Sequence, residues 1–286
     1  MTVRTRFAPS PTGRLHLGHA LAAQVAHDVA RKTKDGIFLL RFEDMDASRV
    51  REEFYQGIEE DLTWLGFRWD EKPLRQSNRT TAYDSALATL REKGLVYPCF
   101  CTRREIQLEW SNMAAAPQGA GGPPYLGTCR KLSASEQQEK IAAGIPHAWR
   151  LDSGMAASIT GPLSFRDLHF GVLTVNPDLL GDVVLARKDI GTAYHLAVVV
   201  DDAFQQITHV TRGEDLLPST HVHRLLQALL GFEEPIYLHH ALVLDELGKR
   251  LAKRHDSLAI TSLRESGVAA DEALARVSSK FPRTMP

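Results

Sequence analysis

Two histidines three residues apart, His16 and His19, lie within residues 9–19 (PSPTGRLHLGH). An apolar alternation at residues 3–8 precedes this segment and a helical pattern at residues 20–32 follows it, which predicts a strand, a tight turn and a helix start. The first amides of a helix lack intrahelical partners and attract anions such as phosphate. Both imidazoles would share one face of the first turn, where their N–H groups could reach phosphate oxygens.

Gly18 lies between the two histidines. Without a Cβ at this position, a flat base and its ribose could approach the helix backbone closely. The alternative is that His16 and His19 merely cap the helix, and this alternative is the better one for an isolated pair.

A second candidate for phosphate chemistry is the basic run at residues 248–254 (GKRLAKR). A flexible ammonium such as that of Lys253, on a loop led by Gly248, could approach phosphate groups and neutralise their negative charge. Taken alone, the run would be interpreted as a solvated basic surface.

Residues 9–19 resemble the signature P-S-P-T-G-x-L-H-x-G-H of the glutamyl branch of class I aminoacyl-tRNA synthetases. Residues 250–254 resemble the lysine-rich loop of that class, K-L-S-K-R, although Ala252 replaces the usual serine and removes a hydroxyl donor. The resemblance implies that His16, His19 and Lys253 are catalytic. It implies an ATP site made of Pro9, Thr12, Gly13, His16, Gly18, His19 and Lys253, with Mg²⁺ bound to the ATP.

A pocket for glutamate requires cations for two carboxylates and an anion for the amine. Arg6, Arg212 and Glu43 fall at or near the ends of predicted strands, where open α/β sheets bind ligands. Taken singly, the arginines could instead pair with Asp44 or Asp46.

The glutamate site implied by the resemblance includes residues 6–10 (RFAPS) and 41–46 (RFEDMD), which match the family elements R-F-A-P-S and R-x-E-D-T/M-D. Glu43 would take the α-amine, while arginines and Tyr194 would share the carboxylates in a division that stays open. Tyr194 alone would be interpreted as a core residue. The implied set is Arg6, Ala8, Ser10, Glu43, Tyr194 and Arg212.

Three cysteines, Cys99, Cys101 and Cys129, are candidate ligands of a structural zinc ion. Three thiolates and one further ligand would complete a tetrahedral site. From the residues alone, water or His147 could be the fourth ligand as well as Tyr125, and the cysteines could also be incidental free thiols. The resemblance to truncated glutamyl synthetase-like proteins favours Tyr125.

The elements that must position these residues form an alternating pattern of the α/β class, with a doubly wound parallel sheet. Strands are predicted at residues 3–8, 37–43, 147–151, 171–175, 182–186, 196–200, 207–212, 236–239 and 242–244. Helices are predicted at residues 17–32, 48–65, 77–93, 220–229, 258–266 and 271–280. The expected units are a Rossmann-type first half (1–96), an inserted α+β module with the zinc site (97–180), the second Rossmann half (181–240), and a lysine-loop and short helical region (241–286), without an anticodon-binding domain.

Composition is compatible with a cytoplasmic globular protein. The formal net charge of −1 over 286 residues excludes a general polycation, although RNA binding requires only local basic patches. No apolar run in the sequence is long enough to span a membrane, and we expect no leader peptide before the first strand. An odd number of cysteines argues against a disulfide framework. A monomer is expected, although the residues do not specify an oligomeric state.

The resemblance is closest to glutamyl-Q tRNA(Asp) synthetases, a family that activates glutamate without tRNA and attaches it to the queuosine base at the wobble position of aspartate tRNA. The short segment after Arg254 makes selective charging of glutamate tRNA unexpected, but it does not identify queuosine. Two alternatives stay open. One is a short synthetase-like enzyme that charges tRNA or a small acceptor, and the other is a non-catalytic RNA-binding or nucleotide-binding module.

Overall fold

The computed structural model describes residues 2–106, 125–189, 191–243 and 259–278. Lys253 and the rest of the predicted lysine loop, including Ala252, lie outside these residues. The helices are α1 (Leu17–Arg31), α2 (Glu52–Trp64), α3 (Thr80–Glu92), α4 (Ala134–Ala142), α5 (Ser153–Thr160), α6 (Tyr194–Phe204), α7 (Leu217–Leu230), α8 (Ile260–Glu265) and α9 (Ala270–Ser278). The strands are β1 (Arg4–Phe7), β2 (Ile37–Phe42), β3 (Leu74–Arg75), β4 (Val96–Cys99), β5 (Ala148–Leu151), β6 (Ser164–Asp167), β7 (Gly171–Thr174), β8 (Val184–Arg187), β9 (Gly191–Thr192), β10 (His209–Gly213) and β11 (Ile236–His240).

The main layer is a parallel sheet built from two sets of strands. β1, β2 and β3 pair in parallel, and so do β10, β11 and β6, while β7 adds an antiparallel edge. A backbone hydrogen bond from Thr208 N to Arg4 O, 3.0 Å long, joins the two sets beside β1. The carboxyl ends of β1 and β10 therefore lie next to each other, as the α/β prediction requires.

A second, antiparallel sheet contains β4, β5, β8 and β9 in that order. The predicted unit boundaries at residues 96/97 and 180/181 stay a prediction. Strands on the two sides of the boundary at 180/181 pair with each other. β6 and β7, from the predicted insertion, pair with β11 of the main sheet, and β8, from the predicted second half, pairs with β5.

The predicted strand at residues 196–200 is wrong, because these residues lie in α6. Seven consecutive residues of this helix, from Leu196 to Asp202, are buried. A fully buried helix shows no amphipathic period, so a short valine-rich run cannot be distinguished from a buried strand by its pattern. The predicted strand at residues 242–244 is not found either, since Leu242 and Val243 lie outside the strands and residue 244 is not described.

Helix α1 packs on β1 through small and apolar side chains. Its alanines at positions 20, 23, 26 and 30 are fully buried, and the Thr5 hydroxyl on β1 donates to Ala26 O at 2.7 Å. This close approach fixes the start of α1 beside the carboxyl end of β1. In the described part of the chain no helix is both long and apolar enough to cross a membrane.

Candidate active site

A cavity of about 400 Å³ opens at the carboxyl ends of β1, β2 and β10 and at the start of α1. The six residues predicted to bind glutamate, Arg6, Ala8, Ser10, Glu43, Tyr194 and Arg212, all line it. Four residues of the predicted ATP site line it as well, namely Pro9, His16, Gly18 and His19. Thr12 and Gly13 do not belong to this lining.

His16 and His19 cap the first turn of α1 reciprocally. The Gly18 amide donates to His16 Nδ1 at 3.1 Å, and the His16 amide donates to His19 Nδ1 at 3.2 Å. The rings stack with their centroids 3.8 Å apart. Since each Nδ1 accepts a hydrogen bond, each ring carries its own proton on Nε2. Capping and phosphate binding are therefore compatible, because they use different nitrogens.

Gly18 has a second reason to lack a side chain. A Cβ at this position would lie 3.0 Å from His16 Cε1 and 3.1 Å from His16 Nδ1. These distances are tighter than ordinary van der Waals contact, so an alanine would press on the ring that caps the helix.

The guanidinium of Arg6 is held by a carboxylate that the sequence did not suggest. Asp202 on α6 accepts from Arg6 Nε at 2.8 Å and from Arg6 Nη2 at 3.3 Å. The same carboxylate accepts from Arg41 Nη1 at 2.7 Å. Burial would raise the pKa of Asp202, but the two guanidinium groups hold it below its ordinary value. Asp202 therefore orients Arg6 at the cavity wall.

Asp44 and Asp46, the alternative partners considered for the arginines, do not pair with Arg6 or Arg212. Asp44 instead accepts from the Tyr55 hydroxyl at 2.6 Å and from Ser77 N at 2.7 Å. Asp46 accepts from the Ser48 hydroxyl at 2.6 Å.

Arg212 differs from Arg6 because its hydrogen-bond partners are neutral. Its side chain is 6% exposed. No carboxylate of the described residues lies within ion-pair distance of it. Arg212 donates to His239 Nε2 at 3.0 Å, to His223 Nδ1 at 3.1 Å, to the Tyr194 hydroxyl at 3.3 Å and to the Thr220 hydroxyl at 2.6 Å. A buried cation without a counter-ion at a cavity wall is a candidate anion site.

Glu43 provides the opposite charge in the same cavity. Its backbone N–H donates to Pro9 O at 3.0 Å, which ties the end of β2 to the loop after β1. Burial raises the pKa of the Glu43 carboxyl to about 7, although Arg41 and Arg6 act in the opposite direction. A carboxylate destabilised by burial gains most when a cation enters and pairs with it.

The three cysteines form one cluster that could hold a metal ion. Their sulfurs all lie within 4.8 Å of one another. Cys101 Sγ lies 3.4 Å from Cys129 Sγ and 3.5 Å from the Tyr125 hydroxyl. Two thiolates on one tetrahedral zinc would be about 3.8 Å apart, given Zn–S bonds of about 2.3 Å. The three sulfurs therefore fit a metal. The Tyr125 hydroxyl lies beside them, and its role as a fourth ligand stays a prediction. Cys129 N donates to the Tyr125 hydroxyl at 2.7 Å.

The chain on either side of residues 244–258 lies at the cavity. Val243 lines it, and Ala259 forms an isolated antiparallel bridge with His16. Ile260 N donates to Leu15 O at 2.9 Å. Lys253 lies between these two points in the sequence, outside the described residues.

Several residues of the site could not be found from local patterns. Asp202, Thr220, His223 and His239 contact the predicted arginines across long separations in the sequence. The only local signal for Asp202 is its position next to Asp201, directly after the valines at positions 198–200. Two aspartates are unfavourable in a buried element unless each carboxylate has a partner.

A family profile described as tRNA synthetases class I (E and Q), catalytic domain, matches residues 2–279. A glutamyl-Q tRNA(Asp) synthetase from Rhodobacter capsulatus is 46% identical over 271 residues, which cover 93% of this chain and 96% of that protein. A glutamate–tRNA ligase from Aquifex aeolicus is 40% identical over 93% of this chain and 54% of that protein.

The structure is also similar to that of a glutamate tRNA ligase from Elizabethkingia meningosepticum crystallised in complex with its amino acid. The TM-score is 0.74 at 32% identity, and the match covers 89% of this chain and 52% of that one. The chain thus spans about half the length of the two glutamate–tRNA ligases, but nearly all of the glutamyl-Q tRNA(Asp) synthetase. The chain belongs to the class I tRNA synthetases of the glutamate and glutamine branch, and it covers most of the length of relatives named glutamyl-Q tRNA(Asp) synthetase.

Proposed function

We propose that the protein activates L-glutamate with ATP, without tRNA, and transfers the glutamyl group to the queuosine base at the wobble position of aspartate tRNA. The observation that carries the first step is the pair of opposite charges in one cavity. Arg212 is a buried cation without a carboxylate partner in the described chain, and Glu43 is an acid whose pKa is raised by burial. Their arrangement suits a ligand that has a carboxylate and an ammonium.

In the activation step, one oxygen of the glutamate α-carboxylate attacks the α-phosphorus of ATP, and the bond to the β-phosphate oxygen breaks. Glutamyl-adenylate and pyrophosphate result. His16 and His19 donate from Nε2 to the α-phosphate oxygens as negative charge grows there, and Lys253 neutralises the departing pyrophosphate. Mg²⁺ bound to ATP would supply further positive charge at the phosphates. No protein nucleophile is required.

The amino-acid roles follow from charge. Glu43 holds the α-amine, while Arg6, Tyr194 and Arg212 bind the carboxylates, beside Ala8 and Ser10. Arg6 is already oriented by Asp202, whereas Arg212 carries a charge that the described residues leave unmatched. We therefore assign the stronger carboxylate contact to Arg212.

The KM for glutamate is expected to rise about tenfold for each pH unit below about 7. Burial raises the pKa of Glu43 to about 7, so this carboxyl becomes protonated as the pH falls and can no longer pair with the α-amine. The substrate itself keeps its charges between about pH 5.5 and 8. Initial rates of pyrophosphate exchange over this range measure the effect. Glu43→Gln should remove the pH dependence and give a high KM throughout, and an unchanged profile in that variant would refute the assignment.

The first step is tested by glutamate-dependent exchange of labelled pyrophosphate into ATP in the absence of tRNA. A catalyst of the proposed type exchanges label only when glutamate is present. A non-catalytic RNA-binding or nucleotide-binding module would show no exchange, and that result would overturn the proposal. The presence of His16 and His19 at the cavity favours the catalyst.

The acceptor is proposed from the relatives. Those that match this chain over most of their own length carry the name glutamyl-Q tRNA(Asp) synthetase. A short enzyme that charges the end of a tRNA, or a small acceptor, is the second candidate, because the glutamate–tRNA ligases match as well. Nuclease mapping of labelled product separates the two, since the label falls in the anticodon fragment in the first case and at the 3′ end in the second.

We also propose that the cysteine cluster holds one structural zinc ion, with Cys99, Cys101, Cys129 and Tyr125 as ligands. The compact sulfur set and the position of Tyr125 support this assignment. The cluster joins the end of β4 to the helical turn at Thr128–Lys131. The ion would stabilise this junction and take no part in the reaction.

Protein purified without chelator is expected to contain one zinc per chain by metal analysis. Cys101→Ser should lose the ion and lower the melting temperature, because structural zinc contributes directly to folding stability. Ser48→Ala is a matched control far from the cluster in sequence, and should retain zinc. Substoichiometric zinc in the unsubstituted protein would contradict the proposal.

A further inference from the structure

We propose that Asp167, His239, His223 and His195 form a positioning network that holds the Arg212 guanidinium through neutral imidazole acceptors and thereby favours a carboxylate over a carboxamide in the amino-acid site. The inference rests on the proposed function, since it concerns how that site distinguishes its substrate. The histidines have no role in the reaction described above.

The first step concerns proton placement around Arg212. A guanidinium can only donate hydrogen bonds, so His239 Nε2 and His223 Nδ1, which contact it at 3.0 and 3.1 Å, must both accept. Each ring therefore carries its proton on the opposite nitrogen. A second proton on either ring would replace an acceptor with a donor and place a positive charge against Arg212.

The opposite nitrogens both have acceptors that stabilise these tautomers. His239 Nδ1 donates to Asp167 Oδ2 at 2.6 Å, and His223 Nε2 donates to His195 Nδ1 at 3.2 Å. Because His195 Nδ1 accepts this second hydrogen bond, His195 carries its own proton on Nε2. A continuous chain of hydrogen bonds thus connects Asp167, His239, Arg212, His223 and His195 in that order.

Burial keeps the rings neutral. It lowers the pKa of His195 to about 4, with Arg212 acting in the same direction. Burial, followed by Arg212, also lowers the pKa of His223 well below its ordinary value. For His239 burial again dominates, although the hydrogen bond to Asp167 opposes it.

Asp167 is itself fixed by the backbone. Its Oδ1 accepts from His169 N at 2.8 Å and from Phe170 N at 2.9 Å, at the turn between β6 and β7. Asp167 pairs with Tyr237 in the parallel ladder between β6 and β11. The entry of β6 into the main sheet therefore brings this carboxylate behind His239.

The arrangement supports Arg212 without neutralising it. Arg6 contacts a carboxylate directly, at 2.8 Å from Asp202, whereas the Asp167 carboxylate is separated from Arg212 by the whole imidazole of His239. Arg212 thus keeps a charge that a substrate carboxylate can match. A carboxamide would leave this buried charge uncompensated, at a cost in binding.

Two pairs of variants test the network. His239→Leu removes the acceptor for Arg212, while His239→Gln keeps an amide oxygen within reach of the Nε2 position. His223→Leu and His223→Asn form the equivalent pair on the other side, and they serve if the first pair fails to fold. His221→Leu, on the same helix as His223 but bonded to Asn176 N at 3.0 Å, is the matched control.

Titration calorimetry with glutamate and with glutamine is the primary measurement. His239→Leu should weaken glutamate binding about ten- to hundredfold, the range for hydrogen bonds to a charged group, and reduce the glutamate-over-glutamine preference at least tenfold. His239→Gln should recover both values to within about threefold of the unsubstituted protein, and the KM for ATP in pyrophosphate exchange should not change.

Equal weakening of glutamate and glutamine, or a Gln variant no better than the Leu variant, would overturn the network. Glutamate binding without exchange in the unsubstituted protein would overturn the proposed reaction but leave the network standing. No glutamate binding at all would overturn both.

Discussion

Arg212→Ala is expected to lower kcat/KM for glutamate by about two to three orders of magnitude, while the KM for ATP changes less than about threefold. Removing one member of a desolvated charge pair costs about 3–5 kcal/mol, and each 1.4 kcal/mol corresponds to about tenfold. The guanidinium belongs to a residue that lines the cavity, and its hydrogen bonds go to Tyr194, Thr220, His223 and His239. None of these belongs to the histidine cap of α1.

The variant should be compared with Arg212→Lys and Arg166→Ala. Lysine keeps the positive charge but lacks the planar guanidinium, whose N–H groups donate in several directions. We therefore expect Arg212→Lys to lower kcat/KM for glutamate by less than Arg212→Ala does. Arg166 is an exposed arginine on β6, and its removal should leave both kinetic constants unchanged. Equal losses for glutamate and ATP in Arg212→Ala would mean that the residue only supports the fold, and would contradict its assignment to the substrate.

His16→Asn is expected to lower the rate of pyrophosphate exchange by about 10²–10³-fold, the range for removal of one donor that stabilises a developing charge. Asparagine is among the best N-cap residues. Its side-chain oxygen can replace His16 Nδ1 as the acceptor of the hydrogen bond that Gly18 N donates at 3.1 Å. The substitution therefore separates the two roles of His16. The cap is kept and the Nε2–H donor is lost.

The melting temperature of His16→Asn should match that of the unsubstituted protein, and the KM for glutamate should change little. His27→Asn, on the same helix, is the control for loss of an imidazole outside the cavity, and should exchange at the normal rate. Normal exchange in His16→Asn would contradict a catalytic role for this ring. A loss of activity in proportion to a loss of stability would reduce the residue to a helix cap.

The local elements of the site could be predicted because each leaves a signal within a few neighbouring residues. The strand, turn and helix start around residues 9–19 appear as predicted, with α1 at Leu17–Arg31. The close packing of His16 against Gly18 was not anticipated, since the prediction assigned the space at Gly18 to a nucleotide.

The interior of the site could not be predicted, because its contacts join distant parts of the chain. Asp202 lies two residues beyond the strand predicted at residues 196–200, and its partner Arg6 is 196 residues away in the sequence. The sequence assigns no role to His223 and His239, since isolated histidines on a helix and a strand carry no local signal. Only the pairing of β10 with β11 and the packing of α7 bring them to Arg212.

The account as a whole is tested most directly by transfer of labelled glutamate to purified aspartate tRNA, with and without queuosine, in the presence of ATP. Label should appear on the tRNA that contains queuosine and in its anticodon fragment, while the same tRNA without queuosine should stay unlabelled. Equal labelling of the two tRNAs, or label at the 3′ end, would contradict the proposed acceptor. Absence of label on both, with no glutamate-dependent pyrophosphate exchange, would contradict the proposed enzyme.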